Sequence, residues 1–112
     1  MITITNGFKE DPNMYVKCCS PDGSCHEIDI NNPLSASQIG DDVGYLTLQA
    51  FSKNNGNCTI KDSSIKISPL PNKHGIDVSY ENEKKIWTIK PGSRSNHHKD
   101  WCKTNVNVEI GP

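Results

Sequence analysis

Long apolar segments are missing from this sequence. No stretch approaches the roughly 20 consecutive apolar residues that a membrane-spanning helix needs, so no transmembrane segment is predicted. Leucine is also scarce, with 4 residues against 12 isoleucines. Leucine is the better helix former, whereas the β-branched side chain of isoleucine suits the pleated surface of a strand. The composition therefore favours sheet over helix.

Arginine is almost absent. Arg94 stands beside eleven lysines, no dense basic run occurs, and the formal net charge is -1. Proteins that read nucleic acids usually carry clustered positive charge and forked guanidinium contacts to bases or phosphates. Nucleic acid is therefore not an expected partner.

Catalytic and metal-binding signature motifs are missing as well. The sequence has no G-x-S-x-G elbow, no phosphate-binding loop, no H-E-x-x-H helix and no D-x-[DN]-x-[DN]-G calcium loop. We therefore expect no cofactor, and we favour a protein that is not an enzyme.

The apolar content is small but sufficient for one core. Isoleucine, leucine, valine and phenylalanine make up 23 of 112 residues, close to the level of about 20% below which disorder is typical. Disorder also requires a high net charge, which this chain lacks. The length then predicts a single domain over residues 1–112 with a thin core.

Five cysteines are disulfide candidates: Cys18, Cys19, Cys25, Cys58 and Cys102. Because the number is odd, at least one thiol is free or pairs between chains, and the connectivity stays open. The adjacent pair Cys18 and Cys19 would point to opposite faces of a strand. Small polar domains often depend on disulfides made in oxidising compartments. We therefore expect a secreted or extracellular protein, with a cytoplasmic location as the alternative.

Alternating apolar and polar residues predict short strands along the whole chain. Turn-forming residues separate them, including Ser20-Pro21-Asp22-Gly23 and Asn54-Asn55-Gly56-Asn57. The predicted strands are Ile2–Thr5, Met14–Cys18, His26–Ile30, Gly44–Ser52, Cys58–Lys61, Ile65–Ser68, Ile76–Tyr80, Ile86–Lys90 and a last one around Val106, Val108 and Ile110. Residues 31–43 are predicted to be a loop. Eight or nine strands at this spacing predict an all-β fold, an antiparallel β-sandwich of immunoglobulin-like or jelly-roll-like type.

The segment Ser93–Cys102 concentrates the side chains that could carry a function. A binding protein needs exposed aromatic and polar groups on a rigid scaffold, often in loops. We therefore predict a secreted protein that acts by surface recognition, as an effector, toxin component, lectin-like module or inhibitor, on a protein, glycan or membrane-surface target of another cell. Its predicted ligand-binding residues are Arg94, Asn96, His97, His98, Trp101 and Tyr80. Trp87, in an alternating run, is predicted to belong to the core.

Two other interpretations of the same segment stay open. In a histidine-dependent hydrolase or nuclease, His97 and His98 would act as base and acid, with His26 as an alternative acid, and Lys99 or Arg94 would stabilise an anion. In an intracellular metal-binding adaptor, the ligands would be His97, His98, Asp100 and Cys102. The oligomeric state is left open.

Overall fold

We describe residues 2–9, 11–35, 44–68, 76–92 and 105–112 of a computed structural model of the chain. Within these residues the secondary structure is entirely β, with no helix. The strands are β1 (Ile2–Asn6), β2 (Met14–Cys19), β3 (Cys25–Ile28), β4 (Leu34–Ser35), β5 (Leu46–Asn54), β6 (Asn57–Lys61), β7 (Ser64–Ser68), β8 (Ile76–Glu81), β9 (Ile86–Pro91) and β10 (Val106–Gly111). All nine predicted strands are present. The short β4 is an addition, in a part of the chain that was predicted to be loop.

The strands form two packed sheets, which confirms the predicted β-sandwich. One sheet has the order β4-β1-β10-β7, and the other has the order β3-β2-β5-β9-β8 with β6 also paired to β5. Strand β5 is long enough to hold two partners along one edge: Gln49 lies opposite Ile86 of β9, and Ala50 lies opposite Lys61 of β6. Strands β6 and β9 therefore meet end to end beside β5.

One pairing departs from the predicted antiparallel pattern. Strands β1 and β10 run parallel, with Ile2 opposite Val106 and Asn6 opposite Ile110. Every other strand pair in the described residues is antiparallel. A period of two identifies a strand but carries no information about the direction of its partner. The first and last strands thus lie side by side in the middle of the four-stranded sheet.

The core lies between the sheets and follows the predicted alternation. Leu46, Leu48 and Ala50 of β5 are fully buried, while Thr47 and Gln49 point to the other face. The remaining fully buried apolar side chains come from both sheets: Ile2, Ile4, Val16, Cys18, Ile89, Val108 and Ile110. Trp87 packs against this core, as its alternating run predicts.

The cysteines divide as expected for adjacent residues in a strand. Cys18 is buried, whereas Cys19 points to the opposite face and forms a disulfide with Cys25, its direct partner across the β2–β3 hairpin. Cys58 on β6 has an exposed free thiol. Cys102 lies outside the described residues. The disulfide joins β2 and β3 next to the turn that connects them.

The predicted hairpin turns have the backbone conformations that their sequences favour. At the β5–β6 turn, Asn55 and Gly56 both have positive φ, 51° and 82°. Asparagine and glycine tolerate this left-handed region better than other residues. At the β2–β3 turn, Gly23 has a φ of 91°, and the Asp22 carboxylate accepts a hydrogen bond from the backbone N–H of Ser24. These turns fix the register of their hairpins.

Candidate recognition site beside the β1–β2 loop

Most of the residues singled out in the sequence lie outside the described part of the chain. These are Arg94, Asn96, His97, His98, Lys99, Asp100, Trp101 and Cys102. Tyr80 is described and lies on β8. His26 is exposed on β3, opposite Cys18. The hydrolase and metal-site interpretations of Ser93–Cys102 therefore stay predictions.

Tyr80 forms an aromatic pair with Trp87 at one end of the sandwich. The two residues face each other across β8 and β9, with ring centroids 4.5 Å apart and planes tilted by 42°. The indole Nε1–H of Trp87 donates a hydrogen bond to Ser63 Oγ at 3.0 Å, and the hydroxyl of Tyr80 donates to Asp62 Oδ1 at 3.4 Å. Asp62 and Ser63 both lie between β6 and β7, where the chain crosses from one sheet to the other. The aromatic pair therefore holds this connection in place.

An ion pair strengthens the same connection. Lys85 Nζ lies 2.8 Å from Asp62 Oδ1. The hydrogen bond and charge of Lys85 lower the pKa of the Asp62 carboxyl, and Asp62 in turn raises the pKa of Lys85. Partial burial, followed by the charge of Asp62, raises the pKa of Tyr80. Asp62 Oδ1 therefore accepts hydrogen bonds from both Lys85 and Tyr80.

A second cationic side chain is engaged on the outer face of the six-stranded sheet. Lys53 Nζ lies 2.8 Å from Glu27 Oε1 and 4.3 Å from the ring centroid of Tyr15. Tyr15 itself stacks on Phe51 across β2 and β5, with centroids 5.9 Å apart. The hydrogen bond that Lys53 Nζ donates to Glu27 raises the pKa of Lys53. Lys53 therefore covers the Tyr15–Phe51 pair, and its contacts stabilise the six-stranded sheet.

A groove of about 650 Å³ opens between the β1–β2 loop, β6 and the C-terminus. We call it the lysine groove. Its lining residues are Gly7, Phe8, Lys9, Asp11, Met14, Lys61, Asp62 and Pro112. Phe8 and Met14 are nearly buried and form an apolar floor. The volume lies within the range of about 300–1,000 Å³ found for ligand pockets.

The groove forms where the inner face of β6 has no opposing sheet. Lys61 lies directly opposite the buried Ala50, and side chains opposite each other in an antiparallel pair share a face. All five residues of β6 are nevertheless exposed. The β1–β2 loop forms the other wall, because Gly7 N donates to Ile110 O at 2.8 Å and Phe8 N donates to the side-chain oxygen of Asn6 at 2.9 Å. Both bonds fasten the wall to the four-stranded sheet, since Ile110 belongs to β10 and Asn6 to β1.

In the lysine groove, the carboxylates have partners within the protein, whereas the lysine side chains have none among the described residues. Asp62 is paired with Lys85, and Asp11 Oδ1 accepts a hydrogen bond from the backbone N–H of Asn13 at 3.0 Å. The side chains of Lys9 and Lys61 form no ion pair or hydrogen bond within the described residues. The groove therefore offers two uncommitted positive charges above an apolar floor.

Sequence reasoning missed the lysine groove because its residues come from distant segments. Lys9 and Lys61 are ordinary exposed lysines in the sequence and meet only through the crossing of the chain between sheets. The signal that a sequence could offer is Lys61 itself, since the alternation of β6 places a charged residue at an inward position. Inward charges on edge strands are also a common protection against aggregation, so this signal does not by itself indicate a site.

Among the parts of the chain that the structure describes, no group of three or more histidine, cysteine, aspartate or glutamate side chains is placed to hold a metal ion. The same residues contain no helix long and apolar enough to cross a membrane.

Comparison of the chain with protein-family models, curated proteins and solved structures finds no match.

Proposed function

We propose that this protein is a secreted binding protein that acts by surface recognition, and that the lysine groove contacts an acidic, partly apolar segment of a protein target. The observation that carries the proposal is the unequal commitment of charge in the groove. Its carboxylates, Asp11 and Asp62, already have partners, whereas Lys9 and Lys61 have none in the described residues. An anionic group would therefore meet two available cations.

The floor of the groove adds an apolar requirement to the ligand. Phe8, Met14 and Pro112 line it beside the charged residues. Apolar area gives binding energy, while a few charged groups orient the ligand and give specificity. A peptide segment with alternating acidic and apolar side chains offers both kinds of group. We favour such a segment over a purely anionic ligand for this reason.

Secretion is supported by the disulfide between Cys19 and Cys25. Disulfides persist mainly in oxidising compartments, and small domains with thin cores depend on them most. Peptide mapping of the folded protein without reduction should recover Cys19 joined to Cys25. Folded protein with five free thiols would contradict the secreted, disulfide-supported part of the proposal.

The binding proposal is tested with a peptide of alternating glutamate and leucine, titrated into isotopically labelled protein and followed by NMR. We expect saturable changes at the backbone amides of residues 7–14 and 61–62, and weaker binding as salt rises, because salt screens exposed charges. A peptide with lysine in place of glutamate is the charge control. Equal binding of both peptides, or changes confined to other parts of the protein, would contradict the proposal.

Variants separate the groove from general surface charge. Lys61→Gln should weaken binding of the acidic peptide about threefold, the effect of losing one exposed ion pair. Lys90→Gln is the matched control, since Lys90 is exposed on β9, does not line the groove and forms no ion pair with the described residues. If both variants bind equally, the lysine groove is not the contact site.

A further inference from the structure

A second concavity adjoins the β1–β2 loop and has a different chemistry. It encloses about 390 Å³ between that loop and the connection from β3 to β4. Its lining residues are Asn6, Pro12, Met14, Tyr15, Ile28, Asp29, Ile30, Asn31 and Asn32. We call it the asparagine pocket. Its volume suits a ligand of one or two small rings.

The walls of the asparagine pocket are held by hydrogen bonds within the protein. Asn6, which is 2% exposed, donates from Nδ2 to Ile28 O at 3.0 Å and accepts from Phe8 N at 2.9 Å. Asp29 and Asn32 form an antiparallel bridge, with Asn32 N donating to Asp29 O at 3.3 Å. A preorganised pocket loses less conformational entropy when a ligand binds. The shape of the pocket is therefore present before any ligand arrives.

Several polar side chains around the pocket are left unused by the protein. The carboxylate of Asp29 and the amides of Asn31 and Asn32 make no hydrogen bond with the described residues. A carboxylate accepts hydrogen bonds, whereas a primary amide and a hydroxyl both donate and accept. Together these groups match a ligand whose own groups each donate and accept.

The remaining lining residues restrict the ligand further. Pro12, Met14, Ile28 and Ile30 give the pocket an apolar side. Asp29 is the only charged residue among the described residues that line it, so an anionic ligand would be repelled. This distinguishes the pocket from the lysine groove, where the uncommitted charges are positive. A ligand that combines several hydroxyl groups with an apolar C–H face and no negative charge fits all of these features.

We propose that the asparagine pocket binds a neutral monosaccharide unit of a glycan. The sugar hydroxyls exchange hydrogen bonds with Asp29, Asn31 and Asn32, and the C–H face of the ring lies against the apolar side. One such pocket gives weak binding, with a dissociation constant in the millimolar range. Useful affinity would then come from combining this contact with others on the same target.

The test is an NMR titration of the labelled protein with mannose, galactose, glucose and N-acetylglucosamine, each up to about 100 mM, which would detect even a millimolar site. We expect at least one sugar to produce saturable changes at the amides of Met14, Tyr15 and residues 28–32. Ethanolamine and inorganic phosphate are the cationic and anionic probes. No saturable change with any of the four sugars, or binding of ethanolamine without binding of sugar, would overturn the proposal.

Variants locate the contact. Asn31→Ala should weaken binding of the sugar about tenfold, as expected for losing hydrogen bonds to one amide, without changing the dispersion of the spectrum. Asn82→Ala, in the β8–β9 turn and away from the pocket lining, is the matched control and should bind normally. Equal weakening by both variants would contradict a site at Asn31.

This inference does not depend on the lysine groove. Lys61→Gln should leave the sugar titration unchanged, because Lys61 does not line the asparagine pocket. Conversely, Asn31→Ala should leave binding of the acidic peptide unchanged. Either site can thus fail its own test while the other stands.

Discussion

At the scale of single residues, Asn6 is the polar group on which most of the local structure depends. It is fully enclosed, and its amide bridges β3 of one sheet and the loop that leaves β1 of the other. A buried polar group left without its partner costs about 1–3 kcal/mol. Asn6 satisfies two such groups, the carbonyl of Ile28 and the N–H of Phe8.

We therefore expect Asn6→Ala to lower the free energy of unfolding by about 2–4 kcal/mol, because it strands both backbone groups and leaves a small cavity. Urea denaturation measures the effect. Asn105→Ala, at an exposed position before β10, should change stability by less than about 0.5 kcal/mol. A small effect at Asn6 would mean that water or the loop replaces its hydrogen bonds.

Residue patterns predicted burial well and the candidate site poorly. The alternation in β5 and the opposite fates of Cys18 and Cys19 follow from the period of two, which is a local property of a strand. Lys61 shows the limit of this reasoning: its register places it on the inner face, yet whether that face is covered depends on where the second sheet ends. No local pattern contains that information.

At the scale of elements, hairpins were predictable and distant pairings were not. Pairing of β2 with β3, β5 with β6 and β8 with β9 follows from a turn signal between two alternating runs. The parallel pairing of β1 with β10 joins strands that are far apart in the sequence. No turn connects them directly, so no local sequence signal predicts this pair. The lysine groove depends on that pairing, since it positions the β1–β2 loop beside the C-terminus.

The connection between β6 and β7 is the element for which we expect stability to depend on pH. Lys85 lowers the pKa of Asp62 below its ordinary value of 3.8. A carboxyl whose pKa is lowered by folding stabilises the folded state above its unfolded pKa and loses that contribution as the pH falls through the folded pKa. The Asp62 side chain is 79% exposed, so water screens the pair and the contribution is small.

Asp62→Asn should therefore destabilise the protein slightly at neutral pH. The difference from wild type should shrink as the pH falls below 3.8 and vanish once the pH lies below the lowered pKa of Asp62 in the folded protein. Urea denaturation at a series of pH values measures this difference. Asp77→Asn, at an exposed carboxylate without an ion pair in the described residues, is the matched control. A constant difference for Asp62→Asn would exclude the Lys85 pair as its cause.

At the scale of the whole molecule, the last strand, β10, lies inside the four-stranded sheet and ends beside the lysine groove. β10 lies between β1 and β7, and its Val106, Val108 and Ile110 side chains are buried. Burial of each such side chain contributes about 1.5–3 kcal/mol, so together they approach the total stability of a small domain, about 5–15 kcal/mol.

A chain that ends before β10, at residue 104, should consequently lose its cooperative unfolding transition and the dispersion of its NMR spectrum. It should also lose binding of both the acidic peptide and the sugar, because the loop that borders both concavities is fastened to Ile110 through Gly7. A chain lacking Pro112 alone is the control. It should fold, since Pro112 contributes only a carbonyl that accepts a hydrogen bond from Ser64 Oγ and one wall of the lysine groove. If the chain that ends at residue 104 still folded cooperatively, β10 would not be required for the sandwich. The six-stranded sheet alone would then have to support the lysine groove.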